Sequence, residues 1–209
     1  MSVAGSDVDG DGLTFSISEG TDIIAVLDGS SISFSAPENF NGSETFTVTA
    51  SDNQLTDSQS FTVTVTPIND APSVATIGNQ TTDEDNSLTI PVFATDVDGD
   101  ALTLAASGDN AITSFDGTQL TVTPDENYNG DILVTVTAND GELSDSTTFT
   151  LTVTPVNDAP SLDELSDAEV AEDGVYVLEL SGADVDGDAL TFQASVDNGS
   201  VSVDGSTLT

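Results

Sequence analysis

The 209-residue chain contains no lysine, no arginine and no histidine. Its 38 aspartates and glutamates therefore give a formal charge of -38 that no side chain of the protein can neutralise. A nucleic-acid partner is excluded, because phosphates need Lys or Arg, and so is attraction to an anionic membrane surface. Cysteine is absent, which rules out a disulfide framework and leaves the redox compartment unreadable from thiols. Without His, Cys or Lys, most nucleophile and base arrangements cannot be assembled. Tryptophan is missing too and aromatics are 5% of the residues, which argues against a sugar-stacking cleft. No run of about 18 apolar residues occurs, so membrane insertion is not expected. Met1 is not followed by a charged and then apolar signal segment. We expect a piece of a longer secreted chain, or an export signal placed elsewhere.

What is present is ordered. Hydrophobic residues make up 36% of the chain, lean for a packed core but regularly placed, unlike acid-rich disorder. Two carboxylates about 5 Å apart repel by roughly 3 kcal/mol at an effective dielectric of 20. Several such pairs rival a domain's total stability of about 5–15 kcal/mol. Cations are therefore expected to be needed for folding or rigidity.

The chain repeats itself. "TPINDAP" at Thr66 returns 88 residues later as "TPVNDAP" at Thr154, and "ENFNG" at Glu38 returns at the same interval as "ENYNG" at Glu126. "DVDGD" begins at Asp7, Asp96 and Asp184. A period this long means tandem copies of one domain. We expect a partial first repeat (1–69), a complete second (70–157) and a partial third (158–209), a window on a longer array. Within a repeat the apolar residues alternate with Thr and Ser, as in Phe46, Val48, Ala50 and their counterparts Val134, Val136, Ala138. That is the period of half-buried strands. Turn-formers such as "DGD", "DGT" and "YNG" separate them, and no stretch has sustained helical periodicity. About seven short strands per repeat predict an all-β fold of tandem antiparallel β-sandwiches with Greek-key connections. The aromatics Phe40 and Tyr128 before each Asn-Gly turn are expected to plug the core. Pro72 and Pro160 should stiffen the linkers.

An isolated "DVDGD" reads as a plain turn, since Asp and Gly are ordinary turn residues. Alternate aspartates before a glycine also let several carboxylates converge where the chain bends, which is how loops hold a hard cation through oxygen. The recurrence of the motif beside other acidic clusters favours the second reading. The second repeat carries, in order, "DED" (Asp83–Asp85), "DVDGD" (Asp96–Asp100), "PDENYNG" (Pro124–Gly130), "ANDG" (Ala138–Gly141) and "PVNDAP" (Pro155–Pro160). In these motifs the chain resembles cadherins, and more closely the bacterial cadherin-like and immunoglobulin-like repeats of large surface adhesins.

That resemblance implies calcium sites at the junctions between neighbouring repeats. At the first, the implied ligands are Glu38, then Asn69 and Asp70 of the linker, then Asp96, Asp98 and Asp140. At the second they are Glu84 and Glu126, then Asn157 and Asp158, then Asp184 and Asp186. A rival placement sets one ion inside each loop, held by Asp7, Asp9 and Asp11, or by Asp96, Asp98 and Asp100. The linker reads N-D-A-P without the second asparagine of the cadherin form, and the mid-domain motif is P-x-E-N, so the number of ions per junction is left open. Acid pairs that recur with the domains in Gly-rich turns do not look catalytic, and no enzyme is expected. The expected role is a calcium-stiffened extracellular spacer of a large bacterial surface protein. The alternatives are a carbohydrate- or protein-binding adhesive module, including one that binds a second copy of itself, and a filament subunit built by strand donation.

Overall fold

Alternating apolar and hydroxyl residues give short strands along the whole chain. The computed structural model describes all 209 residues and contains no helix, hence none long and apolar enough to cross a membrane. The first fourteen strands are β1 (Thr14–Ile17), β2 (Ile24–Asp28), β3 (Ser31–Ser35), β4 (Gly42–Ser51), β5 (Thr56–Val65), β6 (Ser73–Val74), β7 (Gln80–Asp83), β8 (Leu88–Pro91), β9 (Ala94–Thr95), β10 (Thr103–Ser107), β11 (Ala111–Asp116), β12 (Gln119–Pro124), β13 (Gly130–Asn139) and β14 (Ser144–Thr154). They fall into two compact units. One comprises Met1–Val74, Ala94–Thr103 and Thr137–Ser146, the other Ala75–Phe93, Leu104–Val136 and Thr147–Thr209.

In the first unit β1, β4 and β5 form one antiparallel sheet in that order, and β2 pairs with β3 in another. Ser2 bridges to Ser31, extending the second sheet. Phe34, Phe46 and Phe61 meet between them at ring-centroid distances of 5.3, 6.0 and 6.3 Å, a spacing at which tilted and edge-on rings attract. Outward hydroxyls pair across β4 and β5, Ser43 with Thr64 at 2.8 Å and Thr47 with Ser60 at 2.8 Å. Such cross-strand pairs stabilise a wet sheet face by roughly 0.2–1 kcal/mol each. The short ladder of β6 with β9 also lies in this unit.

In the second unit β11, β12 and β8 form an antiparallel sheet, with Ile90 opposite Leu120 and Phe115 opposite Leu120. The other sheet runs β10, β13, β14, β7, of which residues 104–107, 130–136, 147–154 and 80–83 belong to this unit. Its last pair is parallel, Leu151 facing Gln80 and Val153 facing Thr82. β10 lies beside β13, β14 beside β7 and β12 beside β8, none of them consecutive in sequence, so the chain crosses from sheet to sheet as a sandwich requires. Leu120, Val122, Ile132, Val134, Phe149, Leu151 and Val153 are all buried. Each stabilises the fold by roughly 1.5–3 kcal/mol. The same register returns 88 residues on: Leu178 faces Leu208 and Val203 faces Leu208. Ser161–Leu162 with Gly182–Ala183 likewise repeats the ladder of β6 with β9.

The aromatics of the Asn-Gly turns sit elsewhere than expected. Phe40 and Tyr128 are half-buried, and each lies against the glycine of its own turn. Gly130 has φ +132°, and a Cβ there would meet the Tyr128 hydroxyl at 3.2 Å. The ring clamps the turn and leaves the core to strand residues, Phe46 and Phe149 among them.

Candidate metal centre

Each "DVDGD" segment folds into the same loop. Its glycine takes a left-handed conformation, φ +86° at Gly10, +83° at Gly99 and +80° at Gly187, which lets the chain turn back on its first aspartate. That aspartate is half-buried in all three loops and receives the loop amides on Oδ1. Asp9 and Asp11 donate to Asp7 at 2.8 and 3.1 Å. Asp98, Gly99 and Asp100 donate to Asp96 at 2.9, 3.0 and 3.2 Å. Asp186 and Asp188 donate to Asp184 at 3.0 and 3.1 Å. In the middle loop the carboxylates of Asp96, Asp98 and Asp100 come within 4.8 Å of one another.

Linker and loop are tied in the same way at two places. The Asp70 amide donates to Asp98 Oδ2 at 2.8 Å, and 88 residues later the Asp158 amide donates to Asp186 Oδ2 at 2.7 Å. Around the first tie, Asn69 Nδ2 donates to Asp140 Oδ2 at 2.9 Å, while Asp140 Oδ1 receives the Glu142 and Leu143 amides at 2.7 Å each. The amides of Leu143 and Glu142, with the Asn69 side chain, hold the Asp140 carboxyl below the usual range. The structure thus joins Asn69, Asp70, Asp96, Asp98 and Asp140. It leaves Glu38 exposed in the turn before β4 with no hydrogen bond.

Around the second tie, Glu84 is 2% exposed, and its Oε1 accepts the Val156 amide at 2.6 Å. Burial pushes Asp158 above the usual carboxylate range, and the charges of Asp85, Asp186, Glu84 and Asp184 add to the shift in that order. Asn157 turns its amide to the Asp158 carbonyl at 2.8 Å. Glu126 is exposed and makes no hydrogen bond. Asp85 is the residue that motif reading passed over. It adopts φ +59°, accepts the Asn127 amide at 3.0 Å and is the foremost charge acting on Asp158. The only signal for it in the sequence is the acidic triplet "DED" itself.

The donors fit a hard cation. Asp96 Oδ2 and Asp158 Oδ2 are buried with no hydrogen-bond partner, one in each cluster. A buried carboxylate oxygen without a donor costs free energy that a bound cation would offset. Every surrounding ligand atom is oxygen, the set that calcium and magnesium take and that softer metals do not prefer.

A family model described as bacterial Ig domain matches residues 1–66 and 69–154. No curated protein matches the chain. Among solved structures, human protocadherin-24 EC1-2 is 17% identical with TM-score 0.50, over 74% of this chain and 87% of that one. Human mucin-like protocadherin EC1-2 is 18% identical with TM-score 0.45, over 74% and 93%. An endo-fucoidan hydrolase from glycoside hydrolase family 107 is 20% identical with TM-score 0.36, over 94% of this chain and 34% of that one. The chain spans only 24% and 34% of the first two fucoidan hydrolase chains it matches. The likeness to protocadherin-24 is one of fold: the chain is a tandem array of Ig-like, cadherin-like β-sandwiches.

Proposed function

The chain belongs to the bacterial Ig domain family, and from that premise we propose that it is a calcium-rigidified extracellular spacer of a large bacterial surface protein. Its repeats are 1–69, 70–157 and 158–209, and ions at the two junctions between them set its stiffness. One observation carries the reading. At both junctions a linker amide is bonded to the second aspartate of the loop, beside a buried carboxylate oxygen that has no partner. The protein encodes no cationic side chain to fill that role.

Asn69, Asp70, Asp96, Asp98 and Asp140 would hold an ion at the first junction. Glu84, Asp85, Asp158, Asp184 and Asp186 would hold one at the second. Placement wholly inside the middle loop uses Asp96, Asp98 and Asp100, so both arrangements share two ligands. Calcium, when bound, supplies the positive charge that lets these carboxylates stay together. The residues themselves do the positioning: Asp96 and Asp184 gather their loops through Oδ1, and Asp98 and Asp186 fix the linker backbone. When the ions are removed, repulsion between carboxylates opens the ties and the linkers flex. The role is mechanical, with no catalytic step.

Small-angle scattering and calorimetry on the whole chain test this. In millimolar calcium the reading predicts a higher melting temperature and a longer particle than in chelator. Identical curves in the two conditions would remove it.

A further inference from the structure

Contacts between the start and the end of residues 70–157 keep one offset in sequence. In the first unit the Val74 amide donates to Asp145 Oδ2 at 2.9 Å, a pair 71 residues apart, and Asn69 meets Asp140 at the same offset. In the second unit the Thr150 amide donates to Asn79 Oδ1 at 3.1 Å, and the parallel ladder pairs Gln80 with Leu151 through Asp83 with Thr154, again 71 apart. Past the ladder the Glu84 amide donates to the Thr154 carbonyl at 2.9 Å, and the Val156 amide to Glu84 Oε1 at 2.6 Å. The Thr154 hydroxyl donates to Asp83 Oδ1 at 2.6 Å. Ladder bonds and side-chain bonds thus form one run that joins residues 79–84 to residues 150–156.

The direction of the two strands decides what this run does when the chain is pulled. β7 and β14 point the same way. Tension along the chain draws β7 back toward its start and β14 on toward its end, so the two are pulled in opposite senses along a common axis. Parallel ladder bonds are evenly spaced, and a shear of this kind strains them together, whereas peeling would break them one at a time. Residues 85–149, which hold β8 to β13, lie between the two strands in sequence. They receive no tension until the run parts.

We propose that this run is the tension-bearing element of the repeat, a shear clamp that keeps residues 85–149 folded while the chain is pulled from its ends. Asn79 fastens one end of the ladder and Thr154 the other. Neither is among the ion ligands. The proposal deepens the spacer reading and rests on it only in placing the chain under tension.

Optical tweezers on the full chain in calcium test the clamp. The sequence has no cysteine, so one cysteine added at each terminus gives defined points of attachment. Release of residues 85–149 lengthens the chain by roughly 210–230 Å, at about 3.3–3.6 Å per residue, which identifies the event. Forced unfolding follows the unfolding rate. Asn79→Ala and Thr154→Val each remove a hydrogen bond of the run, and each should speed this event at fixed force roughly fivefold. Val122→Ala thins the buried core of the other sheet and should lose as much stability or more in urea unfolding. Its rate under force should match the parent's, because the contacts of Val122 are still made when the clamp parts. Asn79→Ala and Thr154→Val rates equal to the parent's overturn the proposal, and so does a rate under force that follows urea stability across all three variants. The comparison is between variants in one buffer. Melting and scattering that ignore calcium would remove the ion reading and leave this result standing, so the two failures are distinct.

Discussion

Glu84 offers the sharpest single-residue perturbation. It is 2% exposed, its Oε1 accepts the Val156 amide at 2.6 Å, and its charge is among those that raise Asp158. Two substitutions separate these roles. Glu84→Ala leaves the Val156 amide without its acceptor, at a cost of about 1–3 kcal/mol. At roughly 4–8 °C per kcal/mol for a domain of this size, the melting temperature should fall by about 4–24 °C. Glu84→Gln keeps a carbonyl acceptor for the same amide and removes one of the negative charges around Asp158. In chelator it should be at least as stable as the parent; in calcium it should gain less than the parent does. Differential scanning calorimetry of the three proteins, each in calcium and in chelator, reads all of this. The reasoning is refuted if Glu84→Gln falls as far as Glu84→Ala in chelator, or if it retains the parent's full calcium increment.

Two further predictions use features away from the junctions. The Asp22, Thr21 and Ile23 amides donate to the Glu44 carboxylate at 2.7, 2.9 and 3.3 Å, and the Asp22 bond most strongly holds its pKa below the usual range. Because the folded value is the lower one, this stabilisation is present above the ordinary glutamate pKa and is lost as pH falls through the folded value; Glu44→Gln should flatten the acid limb of stability against pH, and an unchanged limb would contradict the assignment. Phe149→Ala should destabilise its sandwich by about 3–5 kcal/mol, whereas Phe61→Ala, at a half-buried position, should cost measurably less in urea unfolding; equal losses would mean that β6 and β7 do not account for the difference in burial.

Much of the fold was legible because it rests on local periodicity. An interval of 88 residues and two-residue alternation were enough to expect repeated sandwiches, and the register Ile90–Leu120 does recur as Leu178–Leu208. The loop clusters were legible for a similar reason, since alternate aspartates before a glycine constrain where carboxylates point. What stayed hidden depends on tertiary placement. The parallel pairing of β7 with β14 joins segments some 70 residues apart, and neither segment encodes its partner. Asp85 comes close to Asp158 through a left-handed backbone turn that the triplet "DED" does not announce. Glu38 and Glu126 occupy the expected turn, yet both are exposed. Phe40 and Tyr128 pack on their own glycines, while strand residues, Phe46 and Phe149 among them, fill the interior.

Crystals grown in calcium, with anomalous difference maps at the two linker and loop clusters, test the central claim most directly. The account predicts an ion peak beside Asp96 Oδ2 and another beside Asp158 Oδ2, each with about six to eight oxygen neighbours at about 2.3–2.6 Å. Empty clusters in saturating calcium, with those two oxygens turned to solvent, would contradict it.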